Sequence, residues 1–88
     1  MSERGHVQVR FFARFRELLD CDAVSVALPE EGFHLSQLMT ALAEKGELWA
    51  QVMSEENLIR AVNQTVVNDD PPLTPGDEVA FFPPVTGG

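Results

Sequence analysis

Two stretches near the ends of the chain alternate apolar and polar residues with period two, and this demands a sheet with one covered face. In "VQVRFFA", residues 7–13, Val7, Val9 and Phe11 fall on one side and Gln8, Arg10 and Phe12 on the other. In "EVAFF", residues 78–82, Val79 and Phe81 oppose Glu78, Ala80 and Phe82. Successive side chains of a strand point to opposite faces, so each stretch is expected to bury its valines and one phenylalanine against a covering layer. Phe12 and Phe82 then both look outward, on a face that is otherwise mostly polar.

The covering layer is legible between the two strands. In "RFRELLD" the positions Phe15, Leu18 and Leu19 share a helical face, which predicts about two turns of helix. "AVSVALP", residues 23–29, returns to strand character and stops at Pro29. Leu35, Leu38, Met39 and Leu42 form the stripe of a main helix expected to close at Gly46. "ELWAQVM" predicts a second short helix with Trp49, Val52 and Met53 facing in, and "NLIRAVNQTVV" two short strands turning at Asn63 and Gln64. In "NDDPPLTPGDE", Pro75 and Gly76 suit the centre of a type II turn. This order predicts an α+β fold: one mixed sheet of about five strands, covered by helix on one face.

At 88 residues the chain is long enough to bury roughly 60 to 65 % of its unfolded surface without a metal or disulfide staple. Six Lys and Arg against fourteen Asp and Glu give a formal charge of -8. Such a chain repels phosphate backbones and anionic membranes, so neither nucleic acid nor membrane is an expected partner. The acidic groups "PEEG", "SEEN" and "NDDPP" fall at expected element ends, where solvated carboxylates are normal. The single Cys21 excludes an internal disulfide and lies between Asp20 and Asp22, surroundings that oppose a reactive thiolate. His6 and His34 lack ligand spacing, so no metal site is expected, and His34 stands where the main helix begins. With no apolar leader and no run of eighteen apolar residues, a cytoplasmic location is expected.

The chain finishes on "FFPPVTGG". Pro83 and Pro84 cannot donate ladder hydrogen bonds, so the last strand must stop at Phe82 or lie at an edge there. The domain is therefore read as residues 1–82, and residues 83–88 as an extended tail reaching about 18 to 20 Å. Gly87 and Gly88 have no Cβ, so another protein's channel can close around their backbone. The carboxylate of Gly88 is ionised and unreactive at neutral pH. It becomes an acyl donor only once its oxygen is made a better leaving group, for example as an adenylate formed from ATP. The terminus is thus read as a carried group, not a catalyst.

The combination of "FFARFREL" at the opening, "AVNQ" at residues 61–64 and "GDEVAFFPPVTGG" at the end resembles the small subunits of molybdopterin synthase, ubiquitin-like β-grasp sulfur carriers, over residues 7–88. The resemblance implies that Gly88 is adenylated by an enzyme similar to those that activate ubiquitin, then converted to a thiocarboxylate with sulfur from a donor system. It implies that Pro83, Pro84, Val85, Thr86, Gly87 and Gly88 thread into the large catalytic subunit, where sulfur passes to a cyclic pyranopterin monophosphate to build the molybdopterin dithiolene. It also implies that Phe12, Arg16, Val66 and Phe82 meet that subunit, in a two-plus-two assembly. No cofactor is expected on the chain itself, ATP being used by the activating enzyme.

Two other readings use the same tail. A ubiquitin-like modifier would join its terminal glycine to lysines of target proteins, and a carrier could serve another sulfur pathway such as thiamine synthesis. A purely structural interaction domain leaves "PPVTGG" without a use.

Overall fold

The computed structural model describes residues 5–29 and 32–84. Five strands and three helices follow in the order β1 (His6–Phe11), α1 (Arg14–Leu19), β2 (Ala23–Ala27), α2 (Leu35–Ala43), α3 (Glu47–Met53), β3 (Ile59–Val62), β4 (Thr65–Val67) and β5 (Glu78–Phe82). The strands form one sheet in the order β2-β1-β5-β3-β4. β1 and β5 run parallel with Val9 beside Val79 and Phe11 beside Phe81, whereas β1–β2, β3–β4 and β3–β5 are antiparallel. This is the mixed α+β sheet expected, with the last strand at its centre.

The alternation sorts the sheet faces as the pattern requires. Val7, Val9, Phe11, Val79 and Phe81 are essentially inaccessible and pack with Phe15, Leu35, Leu38, Leu42 and Val52 from the helices. The Phe11 and Phe81 rings lie 6.0 Å apart, and Trp49 meets Phe11 edge-on at 5.4 Å. Trp49 itself is half-buried and carries the Lys45 ammonium 5.1 Å from its ring centre. It therefore closes the rim of the core rather than filling its middle.

Three local expectations are corrected. β1 ends at Phe11, because Ala13 takes a positive φ of 57° with ψ -133° and turns the chain into α1. The Phe15 N–H donates to the Phe12 carbonyl at 3.2 Å, which closes a turn of the II′ kind, a geometry usually given to glycine at that position. In α1, Phe15 and Leu19 take the inward face while Leu18 is 38 % exposed. A six-residue helix offers one i, i+4 pair to the core, and Leu18 lies to its side. Finally, α2 ends at Ala43, and Gly46 is the residue before α3, its carbonyl accepting the Ala50 N–H at 2.9 Å.

The turns hold β5 in place. Asn63 and Gln64 both have positive φ, 52° and 71°, as a two-residue I′ hairpin turn requires. Gly76, at φ +91°, sits after Pro75 in a turn closed by the Asp77 N–H donating to the Thr74 carbonyl at 3.1 Å.

Candidate functional site

The exit of the chain lies at the middle of the sheet. β5 is paired on both sides, to β1 and to β3, and Pro83 and Pro84 follow it half-buried and outside the ladder. Val85, Thr86, Gly87 and Gly88 lie outside the described residues.

Next to this exit the sheet's outer face carries a stacked aromatic pair. The Phe12 and Phe82 rings are 4.6 Å apart and nearly parallel, at 6°. They are brought together because Phe12 leaves β1 at the point where the parallel partner strand reaches Phe81. Each ring is half-buried in the free chain, and part of that cover is the other ring. The Arg10 guanidinium lies 5.6 Å from the centre of the Phe12 ring and 3.3 Å from a Glu78 carboxylate oxygen, so charge borders the apolar surface on one side.

A shallow groove of about 350 Å³ runs from this pair across β5 to the β3–β4 hairpin, lined by Arg10, Phe12, Gln64, Val66, Glu78 and Phe82. Val66, on β4, is 59 % exposed. Phe12, Val66 and Phe82 therefore share one surface. Arg16 does not: it is exposed on α1 and lines a separate depression with Glu17, Asp20, Cys21 and Asp22. Arg10, Gln64 and Glu78 were not singled out from the sequence as groove residues. Arg10 and Glu78 were already on the outward side of the alternation, and knowing that β1 and β5 are neighbours is what places them at the groove.

Asn63 and Asp77 fix the start of β5. The Asn63 backbone N–H donates to the Glu78 carbonyl at 2.7 Å, and its side-chain oxygen accepts the Glu78 N–H at 3.0 Å. Its side-chain amide also donates to Asp77 at 3.0 Å. Asp77 further accepts the Thr74 N–H at 2.9 Å and the Thr74 hydroxyl at 3.1 Å. Partial burial pushes the Asp77 carboxyl up, but the Thr74 N–H, the Asn63 amide and the Thr74 hydroxyl together hold it below the usual carboxylate value.

Asp70, one of the acidic loop residues, is more than solvated charge. It accepts the Ser36 hydroxyl and the Ser36 N–H, both at 2.7 Å, so it satisfies the first turn of α2 from a distant loop. These bonds, the hydroxyl first, lower its carboxyl from the ordinary value. His34 precedes that helix as expected, its N–H donating to the Gln37 side chain at 2.8 Å. Glu30 and Glu31 of "PEEG" lie outside the described residues.

Cys21 is half-buried and its thiol donates to the Ala23 carbonyl at 3.3 Å. Among the described residues, no group of three or more His, Cys, Asp or Glu could hold a metal ion, and no helix is long and apolar enough to cross a membrane.

A mixed sheet covered by helices on one face, whose central strand delivers the C-terminal end of the chain beside an aromatic outer surface, defines a β-grasp domain of the ubiquitin-like class. The chain belongs to the ThiS family, whose model matches residues 9–88. It is 48 % identical over 82 residues to the molybdopterin synthase sulfur carrier subunit of Escherichia coli (strain K12), covering 93 % of this chain and 99 % of that one. One chain of the complex of subunits 1 and 2 of the molybdopterin-converting factor from Helicobacter pylori 26695 superposes with a TM-score of 0.68 at 25 % identity, over 94 % of this chain and 99 % of that one. Small archaeal modifier protein 1 of Haloferax volcanii superposes with a TM-score of 0.77 at 21 % identity, over 92 % of this chain and 99 % of that one. This last likeness speaks for the fold.

Proposed function

We infer that this chain is the sulfur-carrier small subunit of a molybdopterin synthase. The observation that carries the reading is the 48 % identity that spans nearly the whole of both chains, on a domain whose last strand ends at the proline pair and "VTGG".

In this reading the Gly88 carboxylate attacks the α-phosphate of ATP in an activating enzyme, and pyrophosphate leaves. A donor system then supplies sulfur to the acyl carbon and AMP departs, leaving a thiocarboxylate. The tail threads into the large subunit, where the thiocarboxylate sulfur bonds to a carbon of a cyclic pyranopterin monophosphate and water cleaves the acyl–sulfur bond to restore the Gly88 carboxylate; two such deliveries make the dithiolene. Gly87 and Gly88 provide a backbone thin enough to thread, Pro83 and Pro84 keep the exit extended, and Phe12, Val66 and Phe82 offer the apolar surface that seats the large subunit. Arg16 lies on a separate surface of α1 and is not part of that apolar patch. The work takes place in the cytoplasm.

The test incubates the intact chain with ATP, a sulfur source and soluble extract from its own host, and reads whole-protein mass beside a variant lacking Gly88. The expected result is a gain equal to replacing one oxygen by sulfur, mapped to Gly88 and absent in the truncation. No gain, while a known carrier in the same extract is converted, would overturn the reading.

A further inference from the structure

One edge of the sheet is a five-residue strand without charge or proline. β2 is the end strand of the sheet. The Phe11 N–H donates to the Asp22 carbonyl at 3.0 Å and the Leu28 N–H to the Gly5 carbonyl at 2.9 Å. In the antiparallel register of β1 and β2, these bonds turn the backbone groups of Val24 and Val26 toward β1 and those of Ala23, Ser25 and Ala27 outward. The outward groups have no backbone partner among the described residues.

Natural sheets blunt such edges with charge, proline, bulges or very short strands. β4, at the other end, is only three residues long. β2 is five residues, "AVSVA", with no charge and no proline in a chain of net charge -8. It also reads the same in both directions about Ser25. An antiparallel partner strand runs in the opposite direction, so this segment presents to a second copy the same residues in the same order.

We propose that β2 pairs antiparallel with β2 of a second copy, centred on Ser25, to form a continuous sheet across a two-fold axis. Ser25 faces Ser25 of the other copy, and each Ala23 faces the other copy's Ala27, the small side chains lying on the outer face. On the inner face, half-buried Val24 and Val26 meet their counterparts. The shallow cavity beside Val26, bordered by Phe33, Gln37 and Ala41 of the helical layer, is closed over by the same approach. A seam of about 17 Å is smaller than a standard interface, so the pairing is concentration-dependent. The axis is perpendicular to the sheet, which leaves both Phe12–Phe82 surfaces uncovered, so the inference stands apart from the proposed function.

The experiment is sedimentation velocity of the full chain in reductant, which excludes Cys21 disulfides, from micromolar to millimolar concentration. The weight-average mass should climb from 9.7 kDa toward twice that value, and further as salt screens the repulsion between acidic copies. Ser25→Pro removes an outward N–H without touching the bonds to β1 and should abolish the rise. Ser25→Lys and Ser25→Glu each place like charges face to face and should weaken association about fivefold or more, whereas their mixture should associate better than either alone. A monomer at every concentration would overturn the proposal, as would an unchanged dimer in Ser25→Pro. If that variant fails to fold, a Lys and Glu mixture no better than its components is decisive against it.

Discussion

Replacing Phe82 by Ala tests whether the stacked pair is a docking surface, because its structural and binding effects appear in different measurements. In the free chain the ring loses its stack on Phe12 at 4.6 Å, worth about 0.5 to 1.5 kcal/mol of stability. The Phe82 backbone keeps its place in β5 opposite Ile59, but the ring surface already covered is lost as well, roughly 100 Å² or about 2.5 kcal/mol by area. Binding carries a separate loss. A phenylalanine buries about 150 to 250 Å² when covered, and Phe82 is at most about a third exposed in the free chain, so roughly 50 to 80 Å² remains for the large subunit to cover. At about 25 cal/mol per Å² this gives up to about 2 kcal/mol, and the partner groups that the truncation leaves uncovered add to it. A loss of about 2 kcal/mol or more corresponds to a dissociation constant weakened about thirtyfold. Isothermal titration of the large subunit with the wild-type and variant chains reads this, and a thermal melt reads the stability term. Because the two rings touch, Phe12→Ala and the double variant should be non-additive by about 0.5 kcal/mol or more. An unchanged dissociation constant for Phe82→Ala would refute the docking surface, and strict additivity would refute the idea that the two rings form one contact.

Asn63→Ala should cost about 2 kcal/mol, because it removes the bonds to Asp77 and Glu78 and leaves alanine at φ 52°; chemical denaturation checks it. Ala13→Gly should stabilise by about 1 kcal/mol, since the strain of Ala13 at φ 57°, ψ -133° outweighs the added freedom of glycine in the unfolded chain; a lower melting temperature would contradict the assigned turn. Asp70 and Asp77 have lowered carboxyl pKa values in the folded chain, so their contribution is fully present above the unfolded value of about 3.9 and disappears as pH falls through the folded values. Melting temperature should therefore drop below about pH 4, and more shallowly in the Asp70→Asn, Asp77→Asn double variant. The rate of association with the large subunit should fall as salt rises if the net charge of -8 steers the encounter; stopped-flow mixing at several ionic strengths reads it.

The elements with strong local periodicity were legible in the sequence. Val7, Val9 and Phe11 in one strand, and Val79 and Phe81 in another, place themselves by period two, and Asn63 with Gln64 announces a turn. What local pattern does not carry is which strands are neighbours. The parallel pairing of β1 with β5 joins residues about seventy positions apart, and it alone brings Phe12 onto Phe82 and Arg10 to Glu78. The bond from Ser36 to Asp70 is long-range in the same way. The local misses have local causes. Leu18 belongs to a helix too short to bury three apolar positions, and Gly46 stands between two helices, where either end can claim it.

The central position of β5 governs how the tail leaves the domain. An edge strand is hydrogen-bonded on one side and can fray, whereas β5 is held by β1 and by β3, clamped at its start through Asn63 and Asp77 and stopped by Pro83 at its end. Its register is therefore tightly set. A slip of one residue would turn Phe82 into the core and Phe81 out to solvent, losing the stack with Phe12, and would move the origin of the tail by about 3.4 Å. A carboxylate delivered to another protein's reaction centre tolerates little such displacement, since a misplacement of about 1 Å can cost a hundredfold in rate. In the proposed function, the register that buries Phe81 also aligns Phe82 with the docking surface and fixes the point at which the tail leaves the domain.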